Sequence, residues 1–261
     1  MKILTGFLFV IIVFHTNSLF ALEKIRITNG EWPPYLSEKL PHYGYASHLV
    51  QEAFAAVDIE VEYGFFPWKR SFKYAKDGKH NNEVWHGSVV WVHTKERAQD
   101  FLYTDVVITD IEVLFHLKSV PLNWNTVDDL KGKYIGGTLH TVYPIFEQAE
   151  KQGILHIERA GNYNILFQRL LKRRIDAVPQ VRNVGNFFLR TSLSSLERSQ
   201  ITFSPTVIQE RKYHLMLTRK IERNKQLIKL FNEGLKKIKE NSKYDVLFES
   251  LNQGVYDTPL K

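Results

Sequence analysis

Thr94-Lys95-Glu96-Arg97 follows an apolar and aromatic run, Val89-Val90-Trp91-Val92, and is followed by Phe101-Leu102-Tyr103-Thr104-Asp105. The run reads as a buried strand. The T-x-x-R turn beyond it aims a guanidinium at whatever lies past the strand end. A planar fork of five N–H donors placed there suits bidentate capture of a small carboxylate. Aromatic residues make up 13% of the chain, which leaves rings available for a site after the core is filled. Trp32 and Tyr35 sit in a loop stiffened by Pro33 and Pro34, Trp68 follows Pro67, and Trp91 belongs to the strand itself. For each ring the competing role is core packing.

Other chemistries find less support. Of ten histidines, His80, His86, His93 and His140 invite a metal reading. No H-x-x-x-H or H-E-x-x-H pair stands on a helix and there is no cysteine, so no metal site is expected. Gly136-Gly137-Thr138 lacks both the G-x-G-x-x-G frame and the phosphate-loop Lys-Ser/Thr, so neither a nucleotide nor any other cofactor is expected. No nucleophile–base pair stands out by spacing. An enzyme acting on a carboxylated substrate, a dehydratase or lyase, would draw its acid–base group from Glu31, His93 or His140.

The chain has 261 residues, 44% hydrophobic and 24% charged, which allows one or two globular domains with a real core. The net charge of +7 is spread over dispersed lysines and arginines, with one dense cluster at Lys172-Arg173-Arg174. No basic-aromatic pattern accompanies it, so a nucleic-acid partner is not expected. Met1-Lys2, the apolar run Ile3 to Phe14, a polar break at His15-Thr16-Asn17-Ser18 and then Leu19-Phe20-Ala21 read as a secretory signal peptide over 1–21, cleaved after Ala21. The apolar run falls short of the roughly 20 residues that span a bilayer. The expectation is an exported, periplasmic, soluble protein without stable membrane insertion, built without disulfides.

Periodicity supplies the elements that must hold these groups. Lys24–Asn29 reads as a strand, 45–57 as an amphipathic helix with Ala46, Leu49, Val50, Ala53, Phe54 and Val57 on one face, Ile59–Phe66 as a strand, 68–76 as a helix, and 84–92 as a strand. Strands are expected at 111–118, 134–137, 154–158, 175–179 and 213–217, and helices at 142–152, from Asn162 to about Leu171, 184–191, 222–240 and 243–251. This β-α-β alternation implies parallel sheets with helical crossovers.

Taken in order, Trp32-Pro33-Pro34-Tyr35, Gly44-Tyr45-Ala46, Pro67-Trp68-Lys69-Arg70, Thr94-Lys95-Glu96-Arg97, Asp129-Leu130-Lys131-Gly132-Lys133, Gly136-Gly137 and Arg174-Ile175-Asp176-Ala177-Val178 resemble the bacterial extracellular solute-binding proteins of family 3. These are the polar amino-acid-binding type of ABC transport systems. The resemblance implies an α/β, two-lobed periplasmic-binding-protein-like fold (type II), each lobe a mostly parallel sheet flanked by helices, joined by two crossing strands. It implies one lobe from 22–110 and 213–261 and another from 111–212. It implies that Arg97 grips a ligand carboxylate, that Tyr35 stacks on the ligand with Trp32 beside it, and that Trp68 lines the pocket with Trp91 near. Val90 and Val92 would offer backbone groups. The second-lobe turn at His140, Thr141 and Val142 would add donors. The implied partners are a small carboxylate-containing ligand and an inner-membrane ABC permease, with the receptor a monomer. A soluble ligand-sensing partner of a membrane signalling protein is a variant of that role.

The departures matter as well. Asn81-Asn82-Glu83-Val84-Trp85 replaces the usual Gly-x-Asp-Gly/Ala, valines replace small hydroxyl residues before the turn, and Val181 stands where amino-acid binders carry an Asp for the ligand ammonium. Carboxylate capture is supported and α-ammonium capture is not.

Overall fold

The computed structural model describes residues 23–139 and 141–258; the expected signal peptide over 1–21 and His140 lie outside the described residues. The first elements are β1 (Glu23–Asn29), α1 (Tyr45–Ala55), β2 (Ile59–Phe65) and α2 (Trp68–Asp77). Ala46, Leu49, Val50, Ala53 and Phe54 of α1 are fully buried, as their helical spacing requires, while the helix stops at Ala55 and leaves Val57, expected on the same face, in the turn beyond. Helix α2 stops at Gly78, whose φ of 74° is the left-handed C-terminal conformation that glycine adopts without steric cost. A two-strand hairpin, β3 (Lys79–His80) and β4 (Glu83–Val84), turns through Asn81 and Asn82 at φ 48° and 63°, as a type I′ turn requires. The expected strand over 84–92 is thus two pieces, β4 and β5 (Gly87–Val92).

A 17-residue strand follows, β6 (Phe101–Leu117). Next come β7 (Tyr134–Thr138), α3 (Pro144–Lys151), β8 (His156–Ala160), α4 (Tyr163–Leu171), β9 (Val178–Val181), α5 (Arg182–Ser192) and the short α6 (Ser195–Ser199). The Asn162 side chain caps α4 by accepting from Ile165 N at 3.0 Å. An 18-residue strand, β10 (Ile201–Thr218), returns beside β6, and α7 (Asn224–Glu240) and α8 (Lys243–Asn252) close the fold. The strands expected at 111–118 and 213–217 are therefore segments of two much longer ones.

One six-stranded sheet runs in the order β2-β1-β5-β10-β6-β9. Strand β1 is parallel to β2 and β5, and β10 is antiparallel to both β5 and β6. Strands β7 and β8 form a parallel pair, tied to the segment before β9 by a parallel bridge between Ile135 and Ala177. Around the ends of β6 and β10 nearest Phe101 and Thr218 lies one core, built on β1, β2, β5, α1, α7 and α8. Toward Leu117 and Ile201 lie two more, built on α4, α5 and β9 and on β7 and α3. These are two lobes that share β6 and β10.

The pairing register locates the cleft. Val92, the last residue of β5, sits opposite Tyr213, which also pairs with Ile108 near the middle of β6. The carboxyl ends of β5 and its parallel neighbours therefore point toward the lobe junction. Val181, the last residue of β9, sits opposite Glu112, so β9 points toward the same junction from the other side. The loops at these carboxyl ends are where an open α/β sheet offers a ligand crevice.

Candidate functional site

Strand β5 does not alternate simply. Its pairing with β10 breaks between His214 and Met216, and Val90 sits at φ 60°, a strained conformation for a β-branched residue. The break leaves Val89 and Val90 both buried and sets Ser88 and Trp91, three apart, on one face. Trp91 Nε1 donates to Ser88 Oγ at 2.9 Å, and Ser88 Oγ lies 3.4 Å from Ser71 Oγ of α2. Trp91 is thereby held against α2, edge-on to Trp68 at 5.5 Å and 5.2 Å from Phe72.

Arg97 is half-buried at the turn beyond β5. Its backbone N–H donates to Thr94 Oγ1 at 3.2 Å, which explains the threonine of the T-x-x-R turn. One Nη1 proton goes to the Val92 carbonyl at 3.0 Å, and the guanidinium lies 5.0 Å from the Trp91 ring centre. Among the described residues no carboxylate is within ion-pair distance of it. Arg97, Trp91, Trp68, Phe72, Lys69 and Glu96 line a hollow of about 380 Å³. A wider hollow of about 530 Å³ on α7 is lined by Asp105, Glu233, Lys236, Lys239 and Glu240. It sits away from the strand ends and is edged by charges of both signs, so it offers no directed recognition.

The loop after β1 reaches the same rim. Trp68 Nε1 donates to the Glu31 carbonyl at 3.3 Å, and the indole lies over Gly30, where a Cβ would come within 2.5 Å of the ring. Trp32 is half-buried, 4.9 Å from Tyr35 and 5.1 Å from Tyr213. Tyr35 is only 1% exposed. Its hydroxyl donates to Asp110 Oδ2 on β6 and accepts from Asn183 Nδ2 of α5 at 3.2 Å. Asn183 N–H donates to the same Asp110 oxygen at 3.2 Å, and Ile111 N–H donates to the other at 2.8 Å. Burial pushes the Asp110 carboxyl above its usual range against the pull of these donors, and pushes the Tyr35 phenol far up as well. Within this loop, Trp32 stays half-buried against Tyr35 and Tyr213, while Tyr35 ties the loop to the lobe junction.

On the other lobe the turn after β7 carries Thr141 and Val142, both exposed, Val142 by 68%. Arg159 on β8 pins this turn. Its Nη1 donates to the carbonyls of Thr138 and Thr141, each at 2.7 Å, and its Nη2 to Glu147 at 2.6 Å. Val142 and Tyr143 also border a hollow of about 180 Å³ shared with Glu112, Ile208 and Gln209. Of the acid–base candidates, Glu31 and His93 are exposed. His93 lies 4.6 Å from the Tyr103 ring.

Lys69, Phe72 and Glu96 line the Arg97 hollow but escaped the sequence reading. Phe72 was legible as the residue one helical turn beyond Trp68. Asp110, Asn183 and Arg159 carried no local signal. Among the described residues no group of three or more His, Asp or Glu gathers as a metal would need, and no helix is long and apolar enough to cross a membrane.

No protein-family model matches the chain, and no curated protein matches it in sequence. Solved structures do. A substrate-binding protein of an amino acid ABC transporter from Streptococcus pneumoniae, AbpA bound to L-arginine, superposes at TM-score 0.63 and 17% identity, over 90% of this chain and 97% of that one. The second substrate-binding domain of a putative amino acid ABC transporter from the same organism gives 0.67 and 18%, over 88% and 99%. An ancestral amino-acid-binding protein described as a precursor of cyclohexadienyl dehydratase gives 0.59 and 17%, over 87% and 94%. The chain thus has the two-lobed α/β fold of periplasmic binding proteins, over nearly its whole length. Of these three, two are substrate-binding proteins or domains of amino acid ABC transporters, one of them putative, and the third is described as a precursor of an enzyme.

Proposed function

We propose that this chain is an exported solute-binding receptor that captures a small carboxylate-bearing ligand between its lobes and presents it to an inner-membrane ABC permease. The observation that carries this reading is Arg97: half-buried at the carboxyl end of β5, stacked on Trp91, and free of any ion pair among the described residues. One of its five N–H groups is used by Val92, which leaves a fork for a carboxylate. Residues 22–110 with 213–261 form the arginine-bearing lobe and 111–212 the other, and ligand bound first at Arg97 is buried by hinge closure along β6 and β10. Trp32, Trp68 and Trp91 line the first wall, and Thr141 and Val142 close from the second. In this reading the receptor is exported through the expected signal peptide over 1–21 to the periplasm and works there as a monomer.

A thermal-shift screen of the chain from residue 22 onward, against amino acids, their acyl derivatives and small carboxylates, tests the proposal. At least one carboxylated compound raises the midpoint, and Arg97→Ala abolishes the shift. A blank panel, or hits confined to metals and nucleotides screened beside it, refutes it. Loss of the compound's mass on incubation assigns an enzyme instead.

A further inference from the structure

The lining of the Arg97 hollow narrows the ligand further, on the premise that the receptor reading holds. We infer that the ligand is an aryl-bearing monocarboxylate without an α-ammonium group. An ammonium buried with its ligand needs acceptors or an opposing charge, because an unpaired buried cation is costly. The site is rich in donors and poor in acceptors. The Val92 carbonyl already accepts from Arg97 itself. Asp110, 2% exposed, is shut from solvent and engaged by three donors. Glu112 accepts from Gln209 and Arg211 at the lobe junction. On the opposing turn, Glu147 is held by Arg159 and the Tyr143 N–H. Glu96 alone brings a carboxylate to the hollow; it is exposed, and Lys69 and Arg97 outnumber it there. A zwitterion would set its cation beside two others.

The rest of the surface is apolar. Trp68, Phe72 and Trp91 meet edge-on or tilted at 5.2–5.5 Å, so their packing offers an aromatic ligand the geometry that rings prefer. On the second lobe Leu139, Val142 and Ile145 are 57%, 68% and 40% exposed around the turn that would close. Burying such side chains against a ring is favourable in proportion to area; a short polar ligand would leave them in water.

The test uses matched pairs that differ only in the amine: 3-phenylpropionate against L-phenylalanine, and 3-(indol-3-yl)propionate against L-tryptophan. Titration calorimetry on the chain from residue 22 onward reads the dissociation constants. The amine-free member of each pair binds at least about tenfold more tightly, and Glu96→Gln leaves or strengthens that binding. Equal or tighter binding of the amino acids, lost in Arg97→Ala, overturns the ligand class and leaves the receptor standing. Tight binding of acetate or succinate with no response to the aryl acids overturns it too. If none of the four binds and the wider carboxylate screen is also blank, both readings fall together.

Discussion

Replacing Arg97 with lysine keeps the charge and removes the fork. In the free protein the guanidinium makes one hydrogen bond to the Val92 carbonyl at 3.0 Å and stacks 5.0 Å from the Trp91 centre. The ammonium of lysine is compact and cannot stack flat, bond the carbonyl and hold two carboxylate oxygens at once. The missing charge-assisted bond to the ligand is worth about 1.5–3 kcal/mol. At 1.4 kcal/mol per decade this weakens binding roughly 10- to 150-fold. Arg97→Ala removes the charge as well and costs about 2–5 kcal/mol. The unliganded protein loses less. The cation–π contact is worth about 0.5–1 kcal/mol at a partly exposed site. The hydrogen bond to Val92 adds about 0.5–1.5 kcal/mol. At about 2–4 °C per kcal/mol for a protein of this size, the midpoint falls by roughly 2–10 °C. Calorimetric titration with the best carboxylated hit, and thermal melts without it, separate the two effects. Wild-type affinity in Arg97→Lys would refute the fork, and wild-type affinity in Arg97→Ala would remove Arg97 from the site altogether.

Tyr35→Phe withdraws a donor from the buried Asp110 carboxylate and costs about 1–3 kcal/mol, read as a lowered melting midpoint. Because burial raises the folded-state pKa of Asp110, its contribution is fullest below the ordinary carboxylate range and fades as pH rises through the raised value. Tyr35→Phe removes a bond that opposes the raise, so the fade moves to higher pH in melts recorded across the acid range. His48 behaves in the opposite sense. Burial and then the stacked His42 ring lower its pKa from 6.5 to about 4, so it is neutral at pH 7 and its 3.5 Å contact with Glu52 is no ion pair there. Unfolded chains take up that proton first, so stability falls as pH drops from 6.5 toward about 4, and His48→Gln flattens the slope. Gly234→Ala would set a Cβ 1.8 Å from the Ala53 carbonyl oxygen where α7 crosses α1, and overpacking of that kind costs about 1–3 kcal/mol or more; an unchanged melt would show that the two helices separate freely.

Much of the architecture was legible because its causes are local. Helix α1 follows from the spacing of five apolar residues, the Asn162 cap from one side chain, and the stop at Gly78 from one backbone conformation. The long strands were legible only in part. Gln209 to Lys212 is polar and half-exposed or exposed, and the pairing slips on either side of it, so the pattern there resembles a loop. Its strand character comes from β6 lying beside it, a partner about a hundred residues away in the chain.

For the site the division runs through a single loop. The types and order of Trp32, Pro33, Pro34 and Tyr35 announce an aromatic rim after β1, but not which ring faces the crevice. That depends on Asp110 and Asn183, which meet only when β6 and α5 pack together and take the Tyr35 hydroxyl inward. Likewise the chain order places an arginine at a strand end, while the irregular pairing of β5 with β10 sets Trp91 beneath it. Sequence by itself determined most of the helices, the short strands of local pattern and the chemical types at the strand ends, since propensity and periodicity act over a few residues. The tertiary structure decided which of those groups spend their hydrogen bonds on the protein and which keep them for a ligand, because burial and partnership are set by residues far apart in the chain.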